Sequence, residues 1–185
     1  MGIALRAGGH DVGAAPRYVK LMTTKSTTTR PAKEGQIGQA FETLSVETRG
    51  PGLSDQTAAV RAWLDRIGAG DGLLTLFIRH TSASLLIQEN ADPDVHTDLL
   101  DALERLAPRD HAYVHDVEGP DDMPAHIKSA LTATSLSIPV KAGRMLLGTW
   151  QGIYVVEHRD RPHHREVVLH YLGTLGGKTP AASLR

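Results

Sequence analysis

Apolar and polar positions along this chain switch between two repeats, and the switches mark out its elements. Ile37 to Thr48 carries the pattern of a strand, closed by the breaker Gly50-Pro51-Gly52. Ser54 then opens a helix in which Val60, Trp63, Leu64 and Ile67 form one stripe at i, i+3, i+4 and i+7, with Gly68 and Gly70 as its stop. Leu73 to Ile78 is apolar apart from Thr75, which suits a strand covered on both faces. Thr81 to Gln88 is a second extended stretch, setting Ala83, Leu85 and Ile87 against Ser82 and Ser84.

Asp92-Pro93 starts another helix, with Val95, Leu99, Ala102, Leu103 and Leu106 on one face and Pro108 ending it. A loop region follows to Met123, with a short extended piece at Tyr113 to His115 and a turn at Glu118-Gly119-Pro120-Asp121. Pro124 suits the first position of a third helix, which puts His126 in its first turn. Four strand-like pieces close the pattern: Leu136 to Val140, with Pro139 marking an edge or bulge, Met145 to Trp150, Ile153 to His158, and Arg165 to Leu172. Strands at both ends with helices between them predict an α+β domain with a largely antiparallel sheet.

The ends differ in character. Residues 1 to 36 carry six basic residues against two acidic ones and a Thr/Ser-rich run, so they read as an unfolded extension, and 174 to 185 reads as a flexible tail. The domain itself is expected over 37 to 173.

Composition narrows the chemistry. With 20 basic and 21 acidic residues, a formal charge of −1, the chain has no overall footprint for nucleic acid or an acidic membrane. It lacks a long apolar run and a leader-like start, which fits a soluble protein of the cytoplasm. No cysteine is present, so strong metal ligands must come from His, Asp and Glu. Ten histidines outnumber the two Trp, four Tyr and two Phe. Phosphate-loop, dinucleotide, zincin and hydrolase-elbow motifs are all missing.

His80, His115 and His126 stand at element boundaries among polar neighbours and are the candidate ligands of a divalent ion, Zn or Mg. The alternative is that each caps, hydrogen-bonds or faces water. His10 falls in the N-terminal extension, while His96, His111, His158, His163, His164 and His170 have surface, loop or strand explanations. Asp92 reads either as a helix cap or, with Asn90, Asp94 and Asp98, as part of an acidic Mg²⁺ and phosphate site. The basic run His158 to Arg165 is either a solvated hairpin tip or a phosphate clamp through Arg159 or Arg165.

Five segments taken together, His80-Thr81-Ser82-Ala83-Ser84, Glu89-Asn90-Ala91-Asp92-Pro93, Glu118 to His126, Ile138-Pro139-Val140 and Gly148-Thr149-Trp150-Gln151-Gly152-Ile153, resemble the YjbQ-like family. The resemblance spans about residues 37 to 173. It implies a β-sandwich with flanking helices, assembled as a homotrimer. It implies a polar pocket holding His80, His115 and His126, with Asn90, Asp92, Gln151, Glu157 and Arg165 as catalytic neighbours. It implies a weak thiamine-phosphate synthase activity on small phosphorylated substrates. A metal-dependent hydrolase and a non-catalytic trimeric ligand-binding protein are the competing expectations.

Overall fold

Every second residue of the strand Ile37–Thr48 points into the core, and the fold is organised around that strand. The structure is a computed structural model and describes residues 21–22, 28–30 and 37–176. In chain order its elements are β1 (Leu21–Met22), β2 (Thr28–Arg30), β3 (Ile37–Thr48), β4 (Gly52–Asp55), α1 (Thr57–Arg66), β5 (Ala69–Ile78) and β6 (Ala83–Glu89). Then come α2 (Pro93–Leu106), α3 (Asp122–Leu131), β7 (Ser135–Lys141), β8 (Arg144–Met145), β9 (Gln151–Glu157) and β10 (His163–Leu175).

The strands form two antiparallel sheets. The larger runs β1-β3-β10-β5-β7-β8, with β2 also on the outer edge of β3; the smaller runs β4-β9-β6. The core lies between them: Leu44, Val46, Leu74, Leu76, Ile78, Leu169 and Tyr171 of the large sheet meet Ala83, Leu85, Ile153 and Val155 of the small one. Helix α1 closes one side through Val60, Trp63 and Leu64, three of the four residues in its expected stripe. The domain is thus the expected α+β sandwich, mostly antiparallel, with flanking helices.

Several boundaries differ from the sequence reading. Ser54 lies in β4, and α1 starts only at Thr57, whose N–H donates to Asp55 Oδ1 at 2.7 Å. Strand β5 is covered on one face only: Leu74, Leu76 and Ile78 are buried, whereas Leu73 and Phe77 are 43% and 48% exposed. Across the same outer face, Phe41 and Leu172 are also exposed, and Phe41 stacks on His170 at 4.2 Å. The expected strand at Met145 to Trp150 contracts to β8 followed by a turn, and Tyr113 to His115 is loop.

Pro139 fits its place. Its carbonyl accepts from Leu146 N–H at 2.8 Å, so its missing N–H faces away from β5, where the ladder does not need it. Within the stretch expected to be unfolded, β1 and β2 pair with β3, which supplies the hydrogen-bond partners that local composition does not. The rest of 1–36, and 177–185 of the expected tail, lie outside the described residues. Thr174 and Leu175 belong to β10. Among the described residues no helix is long and apolar enough to cross a membrane.

Candidate metal centre

Helix α3 begins two residues before Pro124, and that early start builds the site. Asp122 becomes the first helical residue, and His126, one turn on, comes to lie over it with Nε2 3.4 Å from Asp122 Oδ2. From the preceding loop His115 reaches the same oxygen, Nε2 to Oδ2 2.8 Å. Ligating atoms of His115, Asp122 and His126 all lie within 4.8 Å of one another. Asp122 is buried, while His115 and His126 keep 46% and 33% of their side chains exposed, so the cluster opens to solvent on the imidazole side.

Hydrogen bonds fix the chemistry of these atoms. His126 Nδ1 lies 3.0 Å from the Thr81 carbonyl, which can only accept, so the ring carries a proton on Nδ1 and the neutral form has its lone pair on Nε2. That lone pair faces a carboxylate oxygen, an arrangement stabilised by a proton or a cation between them. Arg159 holds Asp122 from the other side through Oδ1 and donates from Nε to Asp121 Oδ2 at 2.9 Å. Burial works against ionising Asp121, but the Asp160 N–H and the Arg159 guanidinium hold its carboxyl below the usual range. Two imidazoles and a carboxylate, the latter oriented by an outer partner, are a donor set that suits Zn²⁺.

His80 is adjacent but separate from this group. Its Nδ1 accepts from Ser82 N–H at 3.1 Å, so in the neutral ring the proton sits on Nε2 and the outward edge is a donor rather than a ligand. Burial first, then the nearby Arg165 charge, lowers its pKa and keeps it neutral.

Glu157 and Arg165 form a closed pair beside it. Arg165 Nε and Nη2 donate to Glu157 Oε2 and Oε1 at 2.8 and 2.6 Å, with both side chains 1% exposed. Thr48 Oγ1 and the N–H groups of His158 and Arg159 fill the remaining acceptor sites of Glu157. Burial opposes ionisation of Glu157, but these bonds lower its pKa overall. The pair joins β9 of one sheet to β10 of the other across the end of the core, and with the Arg165 side chain buried its Nε/Nη2 edge is spent on Glu157. Arg159 is committed to Asp121 and Asp122, so both readings of the basic run, solvated tip and phosphate clamp, give way at these two arginines to internal pairing.

His158, read as the end of a strand and the start of the basic run, is buried. Its Nε2 lies 2.9 Å from Ser84 Oγ. Burial, followed by the Lys128 charge, pushes its pKa down to about 4.

Asn90, Asp92 and Gln151 are elsewhere. In the β6–β9 ladder Ala83 pairs with Glu157 at one end and Glu89 with Gln151 at the other, six residues away, or about 20 Å at roughly 3.3 Å per residue. Asp92 caps α2 by accepting from Asp94 N–H at 2.9 Å, the first of the two roles expected for it. Gln151 Oε1 accepts from Gly148 N–H at 2.8 Å and braces the turn before β9. The structure therefore brings His115 and His126 together, sets His80, Glu157 and Arg165 beside them, and places Asn90, Asp92 and Gln151 at the opposite end. Asp122 and Arg159 are the partners that sequence reasoning left out of the metal set. The available signal was Asp122-x-x-x-His126, an i, i+4 pair on a helix.

Fold and site together define a small two-sheet α+β sandwich with a two-histidine, one-carboxylate cluster at one end. The profile described as UPF0047 protein YjbQ-like matches residues 42–174. This chain belongs to that family. It is 53% identical over 136 residues to UPF0047 protein sll1880 of Synechocystis, covering 73% of this chain and 92% of that one. Against UPF0047 protein YjbQ of Escherichia coli O157:H7 the identity is 45% over 127 residues, covering 68% and 91%. A crystal structure of an uncharacterized YjbQ/UPF0047 family protein from Clostridium acetobutylicum superposes with a TM-score of 0.64 at 40% identity, covering 69% of this chain and 96% of that one.

Proposed function

We propose that this chain is a divalent-metal-dependent enzyme acting on small phosphorylated substrates, of the thiamine-phosphate synthase type that the family resemblance implies. The observation that carries the metal is the convergence of His115, Asp122 and His126, with ligating atoms within 4.8 Å of one another. Imidazole nitrogen favours Zn²⁺ over Mg²⁺, which prefers all-oxygen surroundings. A bound ion there would neutralise charge on a departing diphosphate.

In the transfer itself the thiazole ring nitrogen forms a bond to the pyrimidine methylene carbon. The C–O bond to the diphosphate breaks, and its electron pair leaves with pyrophosphate. The chain's own contribution is positional: Thr81 fixes the His126 tautomer, Arg159 aims Asp122, and His80 offers its Nε2–H toward an anion at the rim. The same three ligands leave coordination positions for water, and this favours hydrolysis of a phosphorylated substrate as the second reading.

The exposed Phe41, Leu73, Phe77 and Leu172 give the large sheet an outward apolar face, and we assign that face to the subunit contact of a homotrimer. Light scattering checks it: Phe77→Asp is expected to lower the mass from trimer toward monomer, and a monomeric wild type would sink the assignment.

The functional test uses purified protein stripped with chelator and reloaded with Zn²⁺, Mg²⁺ or Mn²⁺. Thiamine phosphate is expected to form from the pyrimidine diphosphate and thiazole phosphate with wild type and to fall to background in Asp122→Asn, together with bound metal. Equal metal content in the two proteins would remove the site. Background turnover with every ion would remove the synthase reading, and phosphate release from the same substrates would then select hydrolysis.

A further inference from the structure

A cavity lies at the other end of the small sheet from the histidine cluster. It has a volume of about 620 Å³, within the roughly 300–1,000 Å³ range of small-molecule sites. Its walls come from α1, the β7–β8 hairpin and the turn before β9. They bring Arg61 and Arg144 to the same space, with the amides of Asn90 and Gln151 and the apolar side chains of Met145 and Leu147.

The charge of the lining points to an anionic ligand here. The two guanidinium groups face one lining carboxylate, Asp65, leaving an excess of one positive charge. Neither Arg61 nor Arg144 is in an ion pair among the described residues, in contrast to Arg66, Arg159 and Arg165. The hairpin that presents Arg144 turns through Ala142 and Gly143, both at positive φ, 49° and 77°, as a two-residue loop of the I′ kind requires. Ala142 is the sole non-glycine at positive φ among the described residues. The surroundings hold it there: Ala142 N–H donates to Asp71 Oδ1 at 2.6 Å and Gly143 N–H to Gly70 O at 3.0 Å. A Cβ at Gly143 would come within 2.8 Å of the Ala69 carbonyl, so the turn is pressed against β5 with no room to shift. The hairpin turn that carries Arg144 is thus held in place at the cavity wall by its contacts with β5.

We infer that this cavity is a second, metal-independent site that binds a small organic phosphate, its phosphate group held between Arg61 and Arg144 and its body lying on Met145 and Leu147. A guanidinium fork matches phosphate oxygens bidentately, and the Asn90 and Gln151 amides supply polar contacts to the body. About 20 Å of sheet separates it from the histidine cluster in the same chain, so the site is independent of the proposed metal chemistry.

Calorimetric titration in buffer containing EDTA tests it, with phenyl phosphate as probe and inorganic phosphate and benzoate as comparisons. Wild type is expected to bind phenyl phosphate at least tenfold more tightly than either comparison. Arg61→Gln and Arg144→Gln are each expected to weaken phenyl phosphate binding about tenfold, while Asp122→Asn leaves it unchanged. Benzoate binding as tightly as phenyl phosphate overturns the phosphate assignment, and inorganic phosphate doing so overturns the role of Met145 and Leu147. Wild-type affinity in the double arginine variant, or loss of affinity in Asp122→Asn, overturns the site. Both arginines are exposed, so unchanged urea midpoints are expected to accompany the losses.

Discussion

Two neighbouring networks in this molecule use the same parts, an arginine, a carboxylate and histidine, and put them to opposite ends. In the first, Arg165 and Glu157 are buried, every acceptor of Glu157 is filled, and His158 is neutral beside Ser84. In the second, Arg159 and Asp122 are paired as closely, yet His115 and His126 direct Nε2 to one carboxylate oxygen from a half-exposed rim. The difference lies in what remains uncommitted. A network whose lone pairs are all spent can only hold sheets together, whereas one with imidazole nitrogens at the surface can take a ligand.

The largest effect should come from opening the closed network. Arg165→Met strands the buried Glu157 carboxylate and is expected to cost about 3–5 kcal/mol in urea unfolding. Adding Glu157→Gln, which removes the charge but keeps an acceptor for the His158 and Arg159 N–H groups, should recover part of that loss, and a double variant as unstable as the single would show that the pair stabilises beyond relieving its own burial.

Acid should act next, through His158. Its folded pKa of about 4 lies below the ordinary 6.5, so the unfolded chain binds the extra proton first. The stability involved is therefore whole above pH 6.5 and is lost as pH falls from there toward 4, by about 3 kcal/mol in total. His158→Gln should flatten that part of the stability profile, while Glu157, whose pKa is also lowered, contributes only as pH falls below the ordinary carboxylate range.

In the open network, Arg159→Gln removes the group that aims Asp122 and should weaken Zn²⁺ affinity roughly 10–100-fold, measured by chelator competition. Unaltered affinity would mean that the helix alone orients the carboxylate. The smallest effect is expected at the far end: Asp92→Ala should cost about 1 kcal/mol through loss of the α2 cap and leave metal binding as it was. A fall in bound metal would put Asp92 back in the site.

These contrasts also mark what the sequence could reveal. Strand β3 was legible residue for residue, because its alternation is bounded by Gly50-Pro51-Gly52. So was the start of α2, where Asp92 and Pro93 combine a cap with a preset φ. The start of α3 was not. The first four N–H groups of a helix have no intrahelical partner, so proline is tolerated at any of several early positions and cannot choose among them. That two-residue ambiguity hid Asp122, and with it the candidate metal-binding cluster. The burial of His158 and Arg165 was hidden for another reason: their partners, Ser84 and Glu157, come from other strands, and no local pattern reports a pairing between strands distant in sequence.

The two arms of the histidine cluster also differ in how they would answer to insertion. Asp122 and His126 are geared by the pitch of α3, so one extra residue between them would swing His126 about 100° around the helix and out of register. His115 arrives on a loop, and slack added between residues 116 and 120 can be taken up without turning anything. The centre is a fixed jaw opposed by an adjustable one. Changes of loop length on the His115 side should therefore retune its grip, whereas a frame shift within α3 abolishes it.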